Sequence, residues 1–247
     1  MPRAGRPLTR VLEGGRRAGF PRIFLSLVSP MSAKAAYSQA LHEKCLENVA
    51  DVLQNVDTVS YIASVMKELG RELKRHNIKC VPSHEAPGAG GQTRGGTPVT
   101  EAGYIWIDSA TSRRGDIVLH EDQLLTKDDV ERSLRHEMIH AFDDARGYLE
   151  PTNCFHHACS EIRAARLSGD CLFSQEVLRG NVDVLNSGRL CVRRRAALSV
   201  EHNPMCRSFG ERSVDVVFNR CYNDFEPFVA PIYSMGNSTG AQAAPSS

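Results

Sequence analysis

The chain lacks the marks of several large protein classes. Its formal net charge is only +1 over 247 residues, so it offers no broad basic footprint for nucleic acid. No run of about 18 apolar residues occurs, and Ile23-Phe24-Leu25-Ser26-Leu27-Val28 is too short to span a bilayer, so any membrane attachment is expected to be peripheral. No C-x-x-C pair exists, which argues against a structural zinc site built from cysteines alone. The glycine-rich stretch Pro87 to Pro98 reads as a flexible loop. It lacks the Lys-Ser/Thr ending and strand-to-helix context of a phosphate cradle, which excludes nucleotide binding.

Cysteine is plentiful. Eight, at positions 45, 80, 154, 159, 171, 191, 206 and 221, are many for a reducing compartment and even in number, as an oxidised framework requires. Cys191, Cys206 and Cys221 fall on expected helices that disulfides could staple, the competing reading being buried free thiols. The first 35 residues carry Arg3, Arg6, Arg10, Arg16, Arg17, Arg22 and Lys34 against the single acid Glu13. That composition reads as a mitochondrial presequence or a disordered basic tail, and Met31 could be an internal start. Residues 36–235 are expected to form one domain, and 236–247 a disordered Ser/Ala/Gly-rich tail.

The most informative segment is Arg135-His136-Glu137-Met138-Ile139-His140. Positions i and i+4 share a helix face, so both imidazoles can reach one cation, with Glu137 beside them as a base for a polarised water. A surface His-Glu pair on a helix is the bland alternative. Context weighs against it. Thr126-Lys127-Asp128-Asp129 reads as an N-cap with an acidic first turn, and Val130, Leu134, Met138, Ala141, Phe142 and Ala145 recur at helical spacing up to Gly147.

A catalytic zinc takes three protein ligands and leaves a fourth position for water. A third His in the H-E-x-x-H-x-x-G-x-x-H pattern is absent, since Asp143 and Arg146 stand at those positions. Asp144 continues the i+4 series, but eight residues of helix span about 12 Å, too far for one ion; Asp143 and Asp144 suit supporting roles. Glu161, on the Ala-rich stretch Ala158 to Ala165, ranks first as third ligand, followed by His157 and His156, then Asp144.

The runs His136-Glu137-Met138-Ile139-His140-Ala141-Phe142-Asp143, Ala158-Cys159-Ser160-Glu161-Ile162-Arg163-Ala164-Ala165, Leu167-Ser168-Gly169-Asp170-Cys171 and Cys221-Tyr222-Asn223-Asp224-Phe225-Glu226-Pro227-Phe228 occur in order. Together they resemble the mitochondrial inner membrane metalloprotease family that processes an ATP synthase subunit and assists assembly of that enzyme, over roughly residues 40 to 230. The resemblance implies His136 and His140 as zinc ligands and Glu137 as catalytic acid/base. It also implies a polypeptide substrate from the ATP synthase membrane sector and a peripheral location on the intermembrane-space side of the inner membrane. A second, chaperone-like job that needs no proteolysis is implied too. Family members often carry a further cysteine near position 145 and a pair near 80. Here Ala145 and Cys80 stand, so a disulfide is expected to be missing and the pairing scheme is not carried over.

The remaining pattern predicts helices over 36–55, 58–76, 172–180, 188–200 and 207–222, and strands at Lys79-Cys80-Val81, Tyr104 to Ile107 and Asp116 to Leu119. The expected fold is α+β, a mostly helical zincin-like domain with a small sheet over the H-E-x-x-H helix. Asp116 to His120 is the candidate edge for an extended peptide substrate. Arg193, Arg194 and Arg195 read as a solvated helix face. Glu137 is expected to take a proton from water and return it to the leaving amine; a second donor to the oxyanion is not identified, Tyr148 and His157 being the candidates.

Overall fold

The computed structural model of the protein describes residues 33–83, 101–147, 149–150, 152–180 and 187–230. The basic N-terminal segment up to residue 32, the Pro87 to Pro98 loop, Tyr148 and the Ser/Ala/Gly-rich tail lie outside the described residues. Two helices come first, α1 (Ala33–Asn55) and α2 (Asp57–Glu68). The helix expected over 58–76 stops at Glu68, because Gly70 adopts a φ of +76°, a left-handed conformation that turns the chain away. A 3-10 turn, Arg75–Asn77, leads into β1 (Ile78–Val81), followed by β2 (Ala102–Tyr104) and β3 (Ile117–His120).

The sheet order is β1-β3-β2, with β3 parallel to β1 and antiparallel to β2. This corrects the expectation for Asp116 to His120. The strand before the metal-motif helix is central and hydrogen-bonded on both sides, and its four residues are all buried. The strands with an edge unpaired among the described residues are β1 and β2, and β2 starts two residues earlier than its predicted span.

Helix α3 (Lys127–Arg146) starts at a capping box: the Thr126 hydroxyl accepts the Asp129 amide at 3.1 Å, and the Asp129 carboxylate accepts the Thr126 amide at 3.1 Å. Helices α4 (Cys154–Leu167), α5 (Phe173–Leu178), α6 (Ser187–His202) and α7 (Gly210–Tyr222) complete the fold. The architecture is α+β and mostly helical, with one small sheet. None of the described helices is long and apolar enough to cross a membrane.

Two apolar clusters hold these elements together. One joins α1, α2 and the sheet to the Val130, Leu134 and Met138 face of α3; the other joins α4, α6 and α7 around Ile162, Val200 and Val214. Helix α4 belongs to both, placing Ala164 and Leu167 in the first and Ala158, Ile162 and Ala165 in the second. Each fully buried Leu, Ile or Met side chain contributes about 1.5–3 kcal/mol. Because α4 is wedged between the clusters and packs on α3, the residues of α3 and α4 that face each other are held from both sides.

All eight cysteines pair: Cys45–Cys80, Cys154–Cys206, Cys159–Cys221 and Cys171–Cys191. The first ties α1 to β1, and the other three tie α4 and the turn after it to α6, α7 and the segment between them. The departures from the family's cysteine pattern therefore leave no thiol free among the described residues. Loops closed over 20 to 62 residues each constrain the unfolded chain by about 3–4 kcal/mol in the chain-entropy picture.

Candidate active site

His136, Glu137 and His140 project from the middle of α3, and Glu161 reaches them from α4. The His136, His140 and Glu161 ligand atoms lie within 4.8 Å of one another. His136 Nε2 is 3.6 Å from one Glu161 oxygen and His140 Nε2 is 3.5 Å from the other. Both imidazoles thus turn the same nitrogen toward one carboxylate.

The opposite nitrogens are held. His136 Nδ1 is 2.8 Å from Asp170 Oδ2, and a carboxylate can only accept, so Nδ1 carries the proton. His140 Nδ1 is 2.8 Å from the Ser160 hydroxyl, whose single proton goes to Asp143 Oδ2 at 3.0 Å. Ser160 must therefore accept from His140. With Nδ1 as the proton-bearing nitrogen, each ring in its neutral form presents the Nε2 lone pair on the Glu161 side, the tautomer a metal ligand needs. This two-nitrogen, one-carboxylate donor set, with each ring oriented from behind, fits a tetrahedral zinc with one position left open.

The electrostatics follow from burial. Glu161 is held well below the ordinary carboxylate range: burial pushes it up, but the imidazoles of His140, His136 and His157 that face it outweigh that. His140 is pushed down to about 3, chiefly by burial, and stays neutral. His136 is raised well above its ordinary value because hydrogen bonding and charge from Asp170 overcome burial. Burial also pushes the Glu137 carboxyl up to about 7, against the pull of His136 and of the Tyr104 amide that donates to it.

The other candidate ligands are engaged elsewhere. His157 places Nε2 3.2 Å from Glu161 and Nδ1 3.3 Å from the Asn203 amide, so it supports Glu161 without joining the cluster. That also removes it as a free oxyanion donor. His156 accepts the Glu150 amide at 3.4 Å. Asp144 accepts from the Tyr104 hydroxyl at 2.7 Å and from Arg114 Nε at 3.1 Å. Asp143 orients Ser160 and pairs with the fully buried Arg163, whose Nη1 also donates to the Asp224 carbonyl at 2.7 Å. Sequence reasoning assigned no role to Asp170 or Ser160. The arginine run is not simply a solvated face: Arg193 pairs with Asp215, Arg194 with the buried Glu176, and Arg195 with Asp170 at 3.2 Å.

The cluster opens into a cleft of about 450 Å³ lined by β2, Trp106, the motif residues and one face of α6. In the β2–β3 ladder the His120 amide donates to the Glu101 carbonyl and the Ile105 amide to the Asp116 carbonyl. By alternation, Ala102 and Tyr104 turn their backbone groups away from β3. The Tyr104 amide meets Glu137, and the Ala102 groups remain on the open edge.

The family model of peptidase M76 matches residues 43–229. The chain belongs to the peptidase M76 family. Among proteins similar to this M76 member, the mitochondrial inner membrane protease atp23 of Schizosaccharomyces pombe is 47% identical over 115 residues, covering 45% of this chain and 62% of that protein. The ATP23 protease of Debaryomyces hansenii is 31% identical over 187 residues, 74% of this chain and 71% of that protein. The ATP23 homolog of Xenopus laevis is 42% identical over 124 residues, 49% of this chain and 52% of that protein. The chain thus spans less than two thirds of the length of two of these relatives. No solved structure matches the M76 chain.

Proposed function

We propose that the protein is a zinc metalloendopeptidase in which His136, His140 and Glu161 hold the metal and Glu137 is the catalytic acid/base. The observation that carries this reading is the convergence of the two Nε2 atoms on Glu161 beside a buried Glu137. Zinc, when bound, supplies a Lewis acid for the carbonyl and acidifies the attacking water. The chain's own residues do the rest. Glu137 accepts the proton of the water that attacks a peptide carbonyl and delivers it to the departing amine. Its carboxyl is buried beside the ligand cluster and fixed by the Tyr104 amide, which places it to take a proton and give it back. The peptide lies extended along β2, where the outward amide and carbonyl of Ala102 offer strand pairing to any sequence.

The names of the relatives support an activity at the mitochondrial inner membrane. We place the protein peripherally on the intermembrane-space side, where its four disulfides can persist, and assign as substrate a membrane-sector subunit of ATP synthase whose assembly it assists. The deciding experiment uses Glu137→Gln. Cleavage of that subunit's precursor should fall by about 10²–10⁴-fold with zinc content unchanged. Folded wild-type protein that takes up no zinc would overturn the reading. If the variant assists assembly as well as wild type, that second job resides in docking surfaces and not in hydrolysis.

A further inference from the structure

We infer that Arg195 is a substrate-binding residue, donating to a backbone carbonyl next to the scissile peptide bond; this rests on the peptidase reading above. A guanidinium carries five N–H donors in a planar fork. One amino group of Arg195 meets Asp170 Oδ2 at 3.2 Å, while Nε is buried and has no acceptor among the described residues. The side chain nevertheless lines the cleft that holds His136, Glu137 and Glu161. Nε itself is closed off, so the donors within reach of a ligand are those of the part-exposed remainder of the guanidinium, which makes the single bond to Asp170.

Its position is built, not incidental. Asp170 grips Arg195 and His136 through the same oxygen. Cys191, one turn before Arg195 on the same face of α6, is bonded to Cys171, the residue after Asp170. An ion pair and a covalent bond in parallel therefore fix the guanidinium relative to the ligand cluster. The same α6 face continues along the cleft with Leu198, Ser199 and His202.

The chemistry selects the partner. Asp170 already offsets the positive charge of Arg195, so the N–H groups it leaves over suit a neutral acceptor better than a second carboxylate. An extended peptide presents such an acceptor at every residue, whatever its side chains. The cleft then holds the peptide backbone from two sides, by Ala102 on β2 and by Arg195 on α6.

The test uses a fluorescence-quenched peptide cleaved by the zinc-loaded wild-type protein, with each of the two carbonyls flanking the scissile bond reduced to methylene in turn. Arg195→Lys keeps a cation beside Asp170 but loses the second edge of the fork. We expect unchanged zinc stoichiometry, a loss of about 10- to 100-fold in kcat/KM, and a comparable wild-type loss on one of the reduced peptides. On that peptide the lysine variant should lose nothing more. If the two losses multiply, or if the variant cleaves the unmodified peptide normally, Arg195 does not hold the carbonyl. A variant that loses its zinc assigns Arg195 to Asp170 alone and likewise overturns the inference. Zinc-loaded wild-type protein that cleaves no peptide in a broad pool instead removes the peptidase reading beneath it.

Discussion

Asp170 stands 2.8 Å behind His136, carboxylate oxygen to Nδ1, although 34 residues separate them in sequence. It sets the tautomer and angle of one proposed zinc ligand and raises the basicity of that ring. Asp170→Asn keeps the shape but removes the charge. Zinc affinity should fall about 10- to 100-fold, measured by chelator competition, while the circular dichroism spectrum is retained.

Acidification should release the metal through His136 and not through His140. A proton and a cation compete for His136 Nε2, and Asp170 holds that proton affinity well above its ordinary value, so metal binding weakens as pH falls below that raised value. His140, held down to about 3, takes no part in this range. Glu137 adds a second proton, since its carboxyl sits at about 7 without a cation and drops when one arrives. Zinc binding near pH 6 should therefore release about two protons and near pH 8 fewer, read calorimetrically in buffers of different ionisation enthalpy. Glu137→Gln should lower the count near pH 6 by about one.

The buried pair of Arg163 and Asp143 links the site to the C-terminal segment. Arg163 is fully buried and meets Asp143 at 3.0 Å, and it also binds the chain at Asp224 and Glu226. Asp143→Ala removes one of the two carboxylates that pair with this buried cation, leaving Asp224, and frees the Ser160 hydroxyl that orients His140. The loss should be about 1–3 kcal/mol, lowering Tm by on the order of 5 °C in a thermal melt.

How legible all this was in the sequence depends on the distance over which each contact is made. The helix carrying His136 and His140 could be read from its cap at Thr126 and its apolar period, because both are local; the same holds for Glu161, which needed only a loop and a second helix after His140. Asp170 gave no such signal. Its approach to His136 depends on the turn at Gly169, where φ is +92°, and on the packing of α4 against α3. The edge strand was misread because β3 inserts between β1 and β2, an order that chain sequence does not reveal. Arg193 and Arg194 are exposed, as a solvated face would be, but the ion pairs of this run could not be read for a related reason: the acidic partners Asp215, Glu176 and Asp170 all come from other elements.

The open edge of β2 makes a separate prediction, because one residue there can be altered without touching the metal or the sheet. Ala102 faces away from β3, so its amide is not used in the ladder. Proline is tolerated at such a position: its missing N–H falls on the open side, and Ala102 is the first residue of the strand. Ala102→Pro should leave Tm and zinc content unchanged while removing one main-chain donor to the substrate. A loss of about tenfold in kcat/KM, equal across peptides of different sequence, would fit strand addition at β2. A loss confined to particular side chains would mean that Ala102 borders a side-chain pocket, and an unaltered rate would mean that the peptide does not pair with this edge.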